Sequence, residues 1–334
     1  MISAFIKFAD GEISTDTSVA TLSRAVRDPK ATFWVDMIKP TDDEYALLDD
    51  VFGFHPLAIE DSIKYLQRPK IESYNHIGDS FRQGYFYMVI HGPDLSSFRD
   101  KLRTKELDMF VSERYLITIH DEEMTSVKEN LVRASVDPAR MLDGGIDILL
   151  YHILDRLVDN YGPILENLQE EIDDVEEQSV TDPTPELLQQ IATKKRDLLN
   201  FRRIIGPQRD VLAQLTRGDV PFIREGTRVY LRDVLDHLTR AVEMIELYRD
   251  LIVGARDIYM SSMSNNLNQV MKTLTIITVI ALPLNILTGF FGMNFEVAEF
   301  KWMLDHQTGF WVTIVLALTF VGLLLYLFNK KKWL

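Results

Sequence analysis

Two stretches near the C-terminus carry no formal charge, and they constrain the chain more than any other feature. Lys272 and Glu296 bracket 23 residues without Asp, Glu, Lys or Arg, and Asp305 and Lys330 bracket another 24. A helix rises about 1.5 Å per residue and the hydrocarbon core of a bilayer is about 30 Å thick, so about 20 predominantly apolar residues cross it. Both stretches reach that length and predict a membrane hairpin behind a large soluble region. The competing expectation is a helical hairpin buried in a soluble core. Basic residues beside a span stay cytoplasmic. Lys272 precedes the first span, and Lys330, Lys331 and Lys332 follow the second. The loop between them, 294–308, holds only Lys301 against Glu296, Glu299 and Asp305. Both termini are therefore expected inside and the acidic loop outside. Trp302, Trp311, Tyr326 and Trp333 fall near span ends, where amphipathic rings favour the interface. Met1–Phe8 is too short and too soon followed by Asp10 and Glu12 to read as a secretory signal.

Composition sharpens this. Of 334 residues, 50 are acidic and 36 are Lys or Arg, a net charge of −14 that argues against a nucleic-acid partner. The absence of Cys excludes disulfides, thiolate metal sites and thiol nucleophiles. The acid is concentrated: between Asp155 and Asp182 there are ten acids and one base, Arg156. That run is either a solvated helix face or a sink that gathers cations.

Residues 1–143 read as an α/β domain. Ile2–Phe8, Thr32–Met37, Tyr85–His91, Leu107–Val111 and Tyr115–His120 are β-branched or aromatic runs of strand length, the last two joined by a hairpin at Ser112-Glu113-Arg114. Helical patterns cover Asp42–Val51 and Pro56–Ile63. Gly144-Gly145 ends the region. Residues 144–220 read as an acidic helical hairpin. Apolar residues recur at helical spacing from Ile148 to Val175, Asp182-Pro183-Thr184-Pro185 breaks the pattern, and a second helix runs to about Leu215 with a kink expected at Gly206-Pro207. Thr184 is placed to cap that helix and Pro185 to start it. Residues 221–294 read as one long helix, free of Pro until Pro283, whose membrane part covers about 273–292. The outer loop is 295–308, the second span 309–329 and the basic tail 330–334.

Two spans cannot enclose a pathway alone, but a ring of chains can. Stepping by 3.6 residues from Met271 visits Leu274 or Thr275, Thr278, Leu282, Asn285 and Gly289. An amide in the membrane is costly against lipid and should face protein or water. The plainer reading is that Thr278 and Asn285 bond neighbouring helices. No charge lies on this stripe, so any ion there would meet amide and carbonyl oxygen. That suits a cation that keeps its water, as Mg²⁺ does. Met271 and Leu274 would form apolar rings able to gate by dewetting.

The first span ends Gly289-Phe290-Phe291-Gly292-Met293-Asn294-Phe295. Gly-Met-Asn after an apolar span and before a short acidic loop resembles the signature of CorA-type divalent metal ion transporters. Ile59-Glu60-Asp61, Gln67-Arg68-Pro69-Lys70, Arg232-Asp233-Val234, Asn268-Gln269-Val270-Met271-Lys272 and the terminal Lys330–Leu334 also resemble that family. The resemblance implies an α+β cytoplasmic domain, a long helical stalk and two C-terminal transmembrane helices in a funnel-shaped homopentameric channel. It implies a multi-pass protein of the cell inner (plasma) membrane with cytoplasmic termini. It places Gly292, Met293 and Asn294 in a selectivity ring for hydrated metal. It places Gly289, Asn285, Leu282 and Thr278 along the pore, Met271 and Leu274 at the gate, and Asn268 and Asp257 on the axis below. It implies transport of Mg²⁺ and Co²⁺, with Ni²⁺ and Zn²⁺ as further ions. It also implies regulatory Mg²⁺ between subunits, held by Asp233 and an acid of the neighbour's α/β domain, Asp94 first and Asp100 second. Many relatives have Thr where this chain has Asn285, and the outer loop departs from the usual pattern.

The rival within the superfamily is a Zn²⁺ transporter of the zinc-exporting or proton-coupled zinc-importing branch, whose members tend to have Gly-Val-Asn at the motif. The rival of another class is a non-conducting membrane-tethered sensor or scaffold, which would need only apolar spans. An enzyme reading is weakest, because no catalytic triad or phosphate loop stands out.

Overall fold

The computed structural model describes residues 1–64, 67–74, 84–95, 103–292, 307–331 and 333. The chain divides into two compact units, Met1–Arg256 and Asp257–Leu334.

The first unit is built on β1 (Ile2–Lys7), β2 (Ile13–Ser14), α1 (Val19–Arg27), β3 (Thr32–Ile38), α2 (Asp42–Asp50), α3 (Pro56–Ile63), β4 (Lys70–Tyr74), β5 (Tyr85–Pro93), β6 (Thr104–Val111) and β7 (Tyr115–His120). The strands form one sheet in the order β2-β1-β3-β7-β6-β5-β4. β3 and β7 run parallel, pairing Val35 with Ile117, and the other pairs are antiparallel. β5 and β7 are buried along their whole length, which is why they read as unbroken apolar runs rather than alternating ones. On one face Ile6, Val35, Val89, Phe110 and Ile117 pack with Leu22 of α1, Leu48 of α2 and Ala58 of α3. Period-two alternation sends Trp34, Met88, Met109 and Leu116 to the other face. There α6 (Ile146–Asp159) packs on β5 and β7, after α4 (Thr125–Val136) and α5 (Pro138–Asp143).

The five expected strands are all present, and the expected hairpin pairs β6 with β7. β2, β4, α1, α4 and α5 were not expected. β4 reads Lys-Ile-Glu-Ser-Tyr and lies at the sheet edge, where charge blunts pairing with other chains and hides the apolar signal.

The helix expected across 148–175 is two helices, α6 and α7 (Tyr161–Thr181), meeting at Asn160. Pro163 explains the break. It lacks an N–H for the carbonyl of Asp159, and proline is tolerated in a first turn but not in a helix interior. α8 (Pro185–Arg217) starts as expected: the Thr184 side chain accepts from Leu187 N, and Pro185 takes the first helical position. It runs through Pro207 as a single helix and ends at Gly218 with φ of 85°, the left-handed conformation glycine permits. α9 (Glu225–Phe291) begins four residues later than expected. Asp147 sets that start. Its carboxylate accepts from Arg224 N at 3.1 Å, Arg224 Nε at 2.9 Å and Thr227 Oγ1 at 2.6 Å, filling the role of a remote cap.

The second unit comprises the C-terminal part of α9 and α10 (Gln307–Lys330). α9 stays helical through Pro283 to Phe291. Both helices are long and apolar enough to cross a membrane, and none of either apolar window is buried within the chain. A hairpin buried in a soluble core would show the opposite, so that expectation is set aside.

Candidate functional site

Because α9 is continuous, its residues keep helical register. Met271, Leu274, Thr278, Leu282, Asn285 and Gly289 are separated by three or four positions and share one face. All six are exposed in the single chain, Met271 at 59% and Leu274 at 56%. The apolar pair lies at the N-terminal end of this stripe, and the amide and the glycine lie toward Gly292. Thr278 donates its hydroxyl to the Leu274 carbonyl at 2.8 Å, and Thr275 and Thr288 bond their own helix in the same way. The Thr278 oxygen keeps lone pairs to offer and no free hydrogen. Among the described residues, no hydrogen bond engages the Asn285 side-chain amide. Asn268 and Asp257 are also exposed, earlier on α9. Gly292 is the last described residue of the motif. Met293, Asn294 and the loop 295–306 lie outside the described residues.

In the first unit, Asp233 on α9 is 68% exposed and belongs to an acidic patch. His237, one turn on, lies 3.8 Å from Asp233 through Nε2 and 3.5 Å from Asp159 of α6 through Nδ1. Burial, and then the neighbouring Asp159, push the Asp155 carboxyl above its usual range. Tyr151 is pushed up by burial and by Asp155 and Asp233. These acids repel, and a cation would relieve them. Sequence reasoning counted Asp155 and Asp159 only as members of the acidic run and took His237 for an ordinary histidine. Helical spacing puts Asp155 with Asp159 on α6 and Asp233 with His237 on α9, but the pairing of those two helices was not legible.

Asp94 sits just past β5, nearly buried, with its side chain 3.0 Å from Lys105 Nζ of β6. Asp100 lies outside the described residues. Asp94 and Asp233 thus have separate partners within one chain. Among the described residues, no three His, Asp or Glu side chains are grouped to hold a metal ion.

The family model described as "CorA-like Mg2+ transporter protein" matches residues 29–331. The chain is 32% identical to the cobalt/magnesium transport protein CorA of Thermotoga maritima over 311 residues, covering 92% of this chain and 85% of that one. It is 23% identical to the divalent cation transporter CmaX of Pseudomonas aeruginosa over 309 residues, covering 92% and 89%. Its fold superposes on the complete structure of the CorA magnesium transporter from Methanocaldococcus jannaschii with a TM-score of 0.80 at 24% identity, covering 100% of this chain and 99% of that one. The resemblance read from Gly292-Met293-Asn294 is thereby confirmed, and the chain belongs to the CorA-like Mg²⁺ transporter family.

Proposed function

We propose that the chain forms a homopentamer that conducts hydrated Mg²⁺ inward across the cell inner (plasma) membrane, with Co²⁺ and Ni²⁺ as alternative ions. The observation that carries this reading is the exposed stripe on α9, uncharged yet studded with Thr278, Asn285 and Gly289 and ending at the Gly-Met-Asn motif. Five copies would turn the stripe into rings of oxygen. Mg²⁺ dehydrates reluctantly, so such rings would bind its water shell rather than the bare ion. Asn294 would select at the outer mouth, and Asn268 and Asp257 would line the pathway below the gate. The membrane potential supplies the drive, about 2.3 kcal/mol per charge per 100 mV and twice that for a divalent ion.

In this reading residues 1–143 and the hairpin 144–220 form the cytoplasmic body, and 221–294 the stalk and pore helix. Regulatory Mg²⁺ would be held between copies by Asp233 and the neighbour's Asp94. The oxygen-only donors suit a hard cation. Bound metal would hold the ring closed, with Met271 and Leu274 dry. Loss of metal would shift the population toward a wetted gate.

The test is ion flux through the purified protein in liposomes, comparing Mg²⁺, Co²⁺, Ni²⁺ and Zn²⁺. Mg²⁺ flux that falls at least tenfold in Asn294→Ala and loses its inhibition by Mg²⁺ in Asp233→Ala is the expected result, about 1.4 kcal/mol at the filter. No flux, or flux of Zn²⁺ alone driven by protons, overturns it.

A further inference from the structure

Asp36 of β3 and His120 of β7 form a buried pair on the sheet face that carries Trp34 and Leu116. The β3–β7 register sets Asp36 opposite Thr118 and makes His120 its diagonal neighbour on the same face. The side chains of Asp36 and His120 are 2% and 3% exposed, with His120 Nε2 3.2 Å from Asp36 Oδ1. Thr118 donates its hydroxyl to the same Oδ1 and accepts from Trp34 Nε1 at 3.1 Å. His120 Nδ1 lies 2.7 Å from the carbonyl of Glu122, in the turn 121–124 that leads to α4. A carbonyl and a carboxylate oxygen both accept, so both ring nitrogens donate and the ring holds two protons. Taking one proton away leaves a nitrogen lone pair against a buried carboxylate. Burial alone would lower the pKa of His120, but the bond to Asp36 and its charge outweigh burial and hold it above the ordinary 6.5.

Other charges act on this pair mainly through the turn. Asp121 and Glu123 interact with His120 from the turn itself. Lys39, whose N–H donates to the His120 carbonyl at 2.8 Å, offsets Asp121. Lys105 of β6 holds the turn from the other side, 3.2 Å from the Glu123 carbonyl and 3.4 Å from Glu122 Oε2. α4 buries no ionisable side chain, and the one that α6 buries, Asp147, is engaged by Arg224 and Thr227. Glu123, Met124, Thr125 and Ser126 also line a cleft of about 400 Å³ together with Gly92, Lys105 and Asn160.

We propose that His120 is a proton-operated latch on this turn. With both nitrogens protonated, it ties the turn to Asp36 and fixes that wall of the cleft. On losing a proton the ring parts from Asp36, and the turn keeps Lys105 as its tie to the sheet. The latch is therefore closed below about 6.5 and opens as pH rises through the folded value.

The experiment titrates the full-length protein in detergent over about pH 5.5–9, the range a histidine covers, and follows two signals. One is the emission of Trp34, which senses the pair through Thr118, with Trp34→Phe identifying its share. The other is proteinase K cleavage within 121–124, scaled at each pH to the rate in the urea-unfolded chain. Trp34 emission should change with a midpoint above 6.5. Cleavage should rise by up to about tenfold per pH unit above 6.5 and then level off, as the loss of one proton requires. His120→Gln keeps a donor without a titrating proton and should leave both signals flat. Asp36→Asn keeps the shape and removes the charge, so burial acts unopposed and the midpoint should fall below 6.5. Flat signals in the unaltered protein would overturn the latch. So would a pH dependence that survives in His120→Gln, or a midpoint that Asp36→Asn leaves in place.

Discussion

In the first unit Phe110, Leu116 and Leu150 are sealed from solvent, whereas Leu316, Leu318 and Leu323 of α10 are each more than half exposed. The polar groups differ too. Besides local bonds such as those of Ser179 to the Val175 carbonyl and Thr239 to the Leu235 carbonyl, the first unit satisfies them across elements: Trp34 Nε1 donates to Thr118, Tyr87 to Asp108, and Arg224 to Asp147. The second unit satisfies them locally, with Thr273, Thr275, Thr278, Thr288 and Thr319 each donating to a carbonyl one turn back. A chain in water can expose an unpaired hydroxyl and must hide its leucines. A helix in lipid can expose its leucines and must pair its hydroxyls within itself. The two units are thus built for different solvents, and substitutions can challenge that contrast.

The largest effect is expected from the same kind of truncation made in each unit. Phe110 is fully buried and stacks on Phe54 with centroids 4.2 Å apart. Phe110→Ala should cost about 3–5 kcal/mol. Leu316 is 63% exposed, and Leu316→Ala should cost less than about 1 kcal/mol. Denaturant titration followed by tryptophan fluorescence reads both in the full-length protein in detergent. Comparable losses would show that α10 has a packed core of its own and would end the contrast.

Two buried acids sharpen the account of the first unit. For Asp147, burial pushes the carboxyl up, but hydrogen bonds from Arg224 and Thr227 outweigh it and hold it below the usual range. Its contribution is therefore present above the unfolded value near about 4 and is lost as pH falls through the lowered folded value. Asp147→Asn should cost about 2 kcal/mol at pH 7, the scale of a charge-assisted bond, and progressively less in acid. Asp108 goes the other way. Burial, and then Glu106, push its carboxyl well above the usual range. The folded state holds that proton more tightly than the unfolded chain, so Asp108 loses stability as pH rises from about 4 toward its folded value. Asp108→Asn keeps an acceptor for Tyr87 and should melt at the same or a higher temperature at pH 8, with a flatter pH profile. A lower melting temperature there would mean that Asp108 is charged in the fold.

What was legible in the sequence followed the same division. The spans were legible because a bilayer demands an uninterrupted run, and Lys272 to Glu296 supplies one. The apolar strands were legible because β5 and β7 are buried on both faces. β4 was not, because an edge strand with Lys70 and Glu72 looks like a loop. The break at Asn160 was missed because apolar spacing continues across it, while Pro163 alone signals the interruption. The stripe from Met271 to Gly289 needed only 3.6-residue periodicity. The patch of Asp155, Asp159, Asp233 and His237 needed the packing of α6 against α9, a non-local fact that no spacing encodes. Asp94 could be chosen as an acid, but its partner Lys105 depends on the register of β5 and β6.

The smallest expected effect tests the membrane side of the contrast most closely. Thr278 is on the stripe, yet its hydroxyl hydrogen already bonds the Leu274 carbonyl. If lipid-adapted helices satisfy their hydroxyls internally, this one contributes only lone pairs to whatever passes along the stripe. Thr278→Val keeps the shape and removes the oxygen. It should leave the unfolding temperature unchanged, because a helix carbonyl retains its backbone donor, and should lower Mg²⁺ flux by only about twofold, the factor that about 0.4 kcal/mol produces. Asn285→Leu removes an amide with no such internal bond and should lower flux further. A loss in Thr278→Val as large as that in Asn285→Leu would mean that Thr278 turns from Leu274 toward the ion's water shell. The local pairing seen in the single chain would then be a resting arrangement that the assembled pathway exchanges for another.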